Sequence, residues 1–350
     1  MKGVLLVNLG SPESPSAEDV KPYLEEFLMD ERVIDFPKWL RVLLVKGIIL
    51  KTRPKRSAKA YKKIWWKEGS PLIVLTKKLV EKTQEKVDIP IKMAMRYGKP
   101  SIYDALLELN NCGIYDILIL PLYPQHAMAT TETINVLAED LRIKFFPHLK
   151  FTNFPAFYLK DDYIKVLAKS IDEYLVNRKW EHIIFSYHGV PERHIKKSDV
   201  TKSHCRIDKS CCNEESISHE FCYRHQCYET TKRVTNLLNL KNGTFTTTFQ
   251  SRLPLDRWLR PYTDKTISDL AKKGVKNLAI VTPAFVSDCL ETLEEIGMEA
   301  KNDFIELGGE NFHVIPCLNT RSDWIDVVIS WINNWSAERK KQKLNEQKTT

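Results

Sequence analysis

The sequence predicts an α/β protein of two lobes, each a parallel sheet flanked by helices, and three observations carry that expectation. Strand-length hydrophobic runs alternate with helix-length amphipathic stretches along the chain, the pattern of parallel strands joined by crossover helices. The order strand, strand, helix, Gly, strand occurs twice, which points to two similar halves. The length of 350 residues also suits two domains at about 150 residues each.

In the first half, residues 3–8 read as a buried strand running into Gly10-Ser11-Pro12, and 92–97 as a second strand followed by Pro100 and a helix. Residues 112–121 then read as a Gly-capped helix end, a turn, a strand and a Pro at the strand exit. The second half repeats this scheme with 182–186 before Gly189, 244–252 before Pro261, and 273–283.

Composition narrows the class. At 43% hydrophobic and 28% charged residues the chain is neither disordered nor collagen-like. No run approaches the ~20 apolar residues that span a bilayer. The first residues are too short an apolar run for a secretory signal, so the cytoplasm is the expected compartment.

Charge is uneven. Between Lys38 and Lys67 lie eleven Lys and Arg and no acid, against a whole-chain charge of +8, so the remainder is mildly acidic. Trp39, Trp65 and Trp66 sit in the same segment. Such a stretch suits a membrane-surface element, the mouth of a site for an anionic apolar ligand, or nucleic-acid binding. It also suits a solvated helical pair whose Lys stems cover core residues.

A two-lobed α/β chain places its ligand beyond the C-terminal ends of its strands. His188 follows the 182–186 strand, with Gly189 and Pro191 beyond it, a position for a proton acceptor, a metal ligand or a hydrogen-bonding loop histidine. After the last matched strand, Ser287 as a helix cap would align Asp288, Glu291, Glu295 and Glu299 in one acidic stripe beside Cys289. Oxygen ligands in that arrangement could pass a divalent cation inward; acids at a helix start also complement its dipole. The remaining exits carry Arg96, Tyr97, Tyr123, Gln125, His126, Gln250, Ser251 and Arg252, with Trp258 close by. Aromatic walls and a cation fit a flat, anionic, aromatic ligand.

Several strings together resemble the ferrochelatase family. They are Phe185-Ser186-Tyr187-His188-Gly189-Val190-Pro191, Thr248-Phe249-Gln250-Ser251-Arg252, Trp258-Leu259-Arg260-Pro261-Tyr262-Thr263-Asp264, and Ser287-Asp288-Cys289-Leu290-Glu291-Thr292-Leu293-Glu294-Glu295. Val7-Asn8-Leu9-Gly10-Ser11-Pro12, Gly69-Ser70-Pro71-Leu72 and Tyr123-Pro124-Gln125 complete the set, in the family's order, from about residue 2 to about 335.

The resemblance implies two Rossmann-like lobes of the chelatase fold: 1–158, including a basic lip at 23–67, and 159–318, with a Cys-rich insert at 199–230. A C-terminal helix at 319–338 returns to the first lobe, and the polar tail 339–350 is expected to be disordered. The implied activity is a lyase reaction, insertion of Fe²⁺ into protoporphyrin IX to give heme. His188 and Glu291 become its catalytic residues and contacts of the substrate iron, with Glu295 and Asp288 on an acidic path. Leu9, Arg96, Tyr97, Tyr123, Gln250, Ser251 and Trp258 become porphyrin contacts. The lip is implied to meet an anionic membrane, which places the chain peripherally on the inner face of the cell membrane, downstream of a porphyrinogen-oxidising enzyme. Coproporphyrin as substrate, cobalt as metal, and a non-catalytic porphyrin binder are the alternatives. A nucleic-acid binder explains the basic segment but not the acidic stripe.

Two positions depart from the family. Animal members carry His where Cys289 stands, as against Cys in many bacterial members. Pro254 stands where a Gly is common, which stiffens that loop.

Five of eight cysteines, Cys205, Cys211, Cys212, Cys222 and Cys227, crowd into one segment with His204, His219 and His225. Clustering of this kind in a cytosolic chain favours a metal centre over disulfides, though the spacings match no common zinc template. Some family members hold a [2Fe–2S] cluster on four cysteines of an internal insert. That cluster, zinc, and a metal-free loop all remain open, with Cys211 and Cys212 expected to share one ligand position.

Overall fold

The computed structural model describes residues 1–208, 210–253 and 256–348. Strands β1 (Lys2–Gly10), β2 (Ile91–Tyr97), β3 (Asp116–Pro121) and β4 (Lys150–Asn153) form one parallel sheet in the order β2-β1-β3-β4. Strands β5 (His182–His188), β6 (Phe245–Gln250), β7 (Asn277–Val281) and β8 (Asn311–Val314) form another in the order β6-β5-β7-β8. The two orders are the same topology written twice, as the repeated sequence pattern predicts.

Both sheets are covered on both faces, which is why their central strands read as nearly continuous apolar runs. Alternate residues go to different cores. In the first sheet, Leu5, Val7, Ile117 and Ile119 enter an outer cluster. Their neighbours Val4, Leu6, Leu118 and Leu120 enter a central one. In the second, Ile184, Leu278 and Ile280 face outward, while Ile183, Phe185, Ala279 and Val281 join that same central cluster. One apolar core therefore runs through both sheets.

The C-terminal helix Ser322–Lys348 closes this core with Trp324, Trp331 and Trp335. It contacts both halves. Lys2 Nζ donates to the Ser336 carbonyl at 2.5 Å, and Lys86 pairs with Asp326 at 2.9 Å. Trp331 stacks on Phe154 at 4.8 Å and donates through Nε1 to Asp162 at 2.6 Å. The helix continues through Lys348, as good helix formers extend a helix already nucleated by packing. Residues 349 and 350 lie outside the described residues, as does the Pro254 position.

Three helical segments, Lys38–Val42, Leu43–Ile49 and Leu50–Ile64, follow one another without a break and form the basic lip. With helix Ala17–Met29 they bury Val20, Leu24, Leu28, Val45, Leu50, Ala58, Tyr61 and Ile64 in a core of their own, and Leu290 and Leu293 pack against it. The lip is thus a packed subunit of the fold with cationic outer faces.

Candidate active site

The C-terminal ends of both sheets open onto one cavity of about 1810 Å³, roofed by the lip. It exceeds the 300–1,000 Å³ typical of small-molecule pockets, so a large ligand is expected. Of the sequence candidates, Leu9, Tyr123, Gln250, Ser251, Trp258, His188, Glu291 and Glu295 all line it.

His188 is the last residue of β5, held level with Gln250 of β6. Its Nδ1 lies 2.7 Å from the Gly189 carbonyl. A ring N–H donating there leaves Nε2 as a proton acceptor. Gly189 donates to the Gln250 carbonyl at 2.6 Å, and a Cβ at Gly189 would stand 2.8 Å from that oxygen, so only glycine permits the turn. The Gln250 amide accepts from Ser186 at 2.7 Å and donates to the Glu291 carbonyl at 3.4 Å. That side chain therefore joins the exits of β5 and β6 to the acidic helix.

Glu291 begins the helical segment Glu291–Ala300, whose i→i+5 bonding widens each turn. Glu291, Glu294, Glu295 and Glu299 all line the cavity. Glu294 is fully buried and pairs with Lys63 of the lip at 2.5 Å. Burial first, and Glu291 second, push Glu295 up to about 7. Its Oε2 accepts from Ser251 at 2.6 Å, and Ser251 adopts a left-handed φ of 59° to make that contact. Arg53 of the lip, desolvated by burial, faces Glu295 and Glu291. The hydroxyls of Tyr23 and Tyr61 are held protonated chiefly by burial and then by neighbouring charge, Glu291 included. Arg53, Tyr23 and Tyr61 carried no individual signal in the sequence, beyond Arg53 lying in the basic run.

Three expected site residues are placed elsewhere. Asp288 precedes the helix, so Ser287 does not cap it. The Asp288 carboxylate is buried beside the C-terminal loop, accepting from Asn319 Nδ2 at 2.6 Å, Thr292 Oγ1 at 3.0 Å and the Cys317 amide at 3.3 Å. It does not line the cavity. Arg96 and Tyr97 lie behind the wall, both bound to the buried Asp30 carboxylate at 2.6 and 2.9 Å. Tyr97 is fully buried. Cys289 does line the cavity, and burial followed by Glu291 pushes its thiol up. Tyr123 donates to Asn8 at 2.7 Å and accepts from the Leu9 amide at 3.1 Å. The Trp258 indole N–H and the Gln125 side-chain oxygen, on residues that line the cavity, are buried without partners.

In the Cys-rich insert, Cys205, Cys211, Cys212 and Cys222 surround one small cavity, whereas Cys227 lies outside it, fully buried. Cys211 and Cys212 both face it. Burial pushes Cys205 up to about 11 and Cys212 up to about 12. Nearby, the buried guanidinium of Arg224 leaves Nε and Nη1 without partners. Among the described residues, no group of three or more His, Cys, Asp or Glu side chains has the arrangement of a metal site.

A family model described as ferrochelatase matches residues 1–335. Relatives named ferrochelatase include that of Opitutus terrae, 42% identical over 337 residues and spanning 95% of this chain and 97% of its own. That of Stutzerimonas stutzeri is 43% identical over 330 residues, with 94% and 96% covered. That of Coxiella burnetii is 43% identical over 328 residues, with 93% and 91% covered. Among solved structures, SirB from Bacillus subtilis with Fe³⁺ aligns with a TM-score of 0.55 at 12% identity, covering 97% of this chain and 98% of that one. The sirohydrochlorin chelatase SirB from Bacillus subtilis subspecies spizizenii in complex with cobalt gives 0.51 at 10%, with 93% and 91% covered. At such identities the likeness shows the fold alone, a chelatase fold. With the sequence match running from end to end of the two lobes, the chain belongs to the ferrochelatase family.

Proposed function

We propose that the cavity binds protoporphyrin IX and that the chain inserts Fe²⁺ into it, releasing two protons and forming heme. The family supports the reaction. The observation that carries it is the meeting of His188 and a carboxylate-lined helix in one cavity large enough for a macrocycle.

Insertion requires the ring to bend so that its nitrogen lone pairs leave the plane, and requires loss of both pyrrolic protons. A rigid cleft that fits the bent ring better than the flat one lowers the barrier through differential binding. Leu9, Tyr123 and Trp258 offer the surfaces for the ring faces. His188, with Nδ1–H committed to the Gly189 carbonyl, accepts a pyrrole proton at Nε2, and Glu291 assists. Glu295, near 7, can both take up and release a proton at neutral pH. Iron, as substrate, follows Glu299, Glu295 and Glu291; Asp288 is removed from that path.

His188→Ala is expected to abolish iron insertion while porphyrin still quenches tryptophan fluorescence on binding. Near-normal turnover would overturn the assignment. Running the assay with protoporphyrin and coproporphyrin, and with Fe²⁺ and Co²⁺, identifies the preferred pair.

The insert is read as a [2Fe–2S] site on Cys205, Cys211, Cys212 and Cys222. Soft thiolates suit such a cluster, and its negative charge would answer the unpartnered Arg224 nitrogens. Its role would be structural, since inserting Fe²⁺ is not a redox step. A colourless protein after anaerobic purification would count against it.

No helix among the described residues is long and apolar enough to cross a membrane. Peripheral attachment to the inner face of the cell membrane is supported by Trp39, Leu43 and Ile48, exposed on the lip at 70, 58 and 61% among its lysines. There the porphyrin would arrive from the enzyme that oxidises its porphyrinogen.

A further inference from the structure

We propose that Tyr223 is a positioning residue for His188, an inference that rests on reading His188 as the proton acceptor. Tyr223 opens the helix Tyr223–Leu237, directly after Cys222 of the insert. It is 6% exposed, borders the cavity, and donates its hydroxyl to the His188 carbonyl at 2.8 Å.

That hydrogen bond acts on the imidazole through the backbone. The His188 carbonyl and the Gly189 amide belong to one peptide plane. Tyr223 holds the oxygen end, and the Gln250 carbonyl holds the N–H end at 2.6 Å. With this plane held, only φ and ψ of Gly189 remain to set the direction of the next carbonyl, that of Gly189, so the two clamps narrow the range over which it can point. The Gly189 carbonyl in turn receives Nδ1–H of His188 at 2.7 Å, which selects the tautomer with a free Nε2. Remove the hydroxyl, and one of the two clamps on the plane is gone.

The helix that carries Tyr223 is well placed to hold it still. Thr231 meets the Tyr187 hydroxyl at 3.0 Å, on the strand that ends in His188. Gln226 accepts from the His126 amide at 2.6 Å, and Gln125 donates to Thr230 at 3.0 Å. Gln226, Thr230 and Thr231 are all buried. These buried bonds tie one helix to the β5 exit and to the loop after β3, so Tyr223 sits on a support braced from both sheets.

Tyr223→Phe keeps the ring and deletes only the hydroxyl. Its kcat is expected to fall about tenfold, in the range seen when a group orienting a functional histidine is lost, with KM for porphyrin changed less than about twofold. Nitrogen-15 NMR of the wild-type chain is expected to show His188 protonated at Nδ1, and a mixture of tautomers in Tyr223→Phe. Thr235→Val, which removes a hydroxyl bond to the Lys232 carbonyl from the same helix without touching the His188 peptide or the braces, is expected to keep wild-type kcat and a single tautomer. Should Tyr223→Phe retain wild-type kcat and tautomer while His188→Ala is inactive, Tyr223 has no positioning role. The same conclusion follows if wild-type His188 carries its proton on Nε2. Activity in His188→Ala would instead overturn the reading of the site on which the proposal rests.

Discussion

The two sheets share one topology, yet their strand exits behave differently. In the first sheet the exits are tied off: Arg96 and Tyr97 at the end of β2 both bind Asp30, and Tyr123 after β3 binds Asn8. In the second, the matching exits leave protic groups on the cavity surface: His188 at the end of β5, Ser251 after β6, and Glu291 and Glu295 after β7. The backbone scaffold is indifferent to chemistry; whether an exit residue is a wall or a reagent depends on the partner it meets. Asp30 is paired with Arg96 at 2.6 Å, whereas Arg53, though it faces Glu295, leaves that carboxyl raised to about 7.

Four substitutions test that contrast. Glu291→Gln, on the protic side, is expected to lower kcat by about 10²–10³, the scale of a lost acid–base group, with porphyrin affinity retained. An unchanged kcat would make the second sheet as inert as the first. Asp30→Ala, on the tied side, leaves a buried guanidinium unpaired and is expected to cost about 3 kcal/mol in urea unfolding, while folded protein keeps its kcat. A collapse of kcat without loss of stability would place Arg96 in the reaction after all.

Trp39→Ala concerns the lip, the largest addition to the first half. It is expected to weaken sedimentation with anionic vesicles about tenfold, given the apolar area withdrawn, and to leave iron insertion in detergent unaffected.

Glu295→Gln tests the carboxyl that burial raises. Because folding raises this group to about 7, the folded state holds its proton more tightly, and Glu295 destabilises the fold increasingly as pH rises from about 4.5 through 7. Gln in its place is expected to raise the Tm by a few degrees at pH 8 and to make no difference at pH 4.5. Equal Tm values at pH 8 would show Glu295 to be as well compensated as Asp30.

Much of the site was legible because strand exits can be located from local patterns. A hydrophobic run ending in His188-Gly189 or Arg96-Tyr97 shows where the exit is, whichever partner waits there. Partners were not legible. Asp30 lies 66 residues from Arg96, and nothing in either segment marks the other. Asp288 fits a helical stripe on spacing, but the helix starts later and Asn319 claims the carboxylate. Tyr223 looks like part of a Cys-rich loop until its helix is laid across β5.

By itself the sequence determined the two repeated sheets, the ends of the strands that face a common cleft, the cationic segment and the family, since all of these follow from periodicity, composition and short motifs. Only the tertiary structure decided which exit residues are free to react, that one core rather than two joins the sheets, and that the C-terminal helix runs on past residue 338. The physical reason is the same in each case. Burial of alternate residues is a property of a local chain, whereas the charge or hydrogen-bond state of a side chain depends on whichever distant group folding brings beside it.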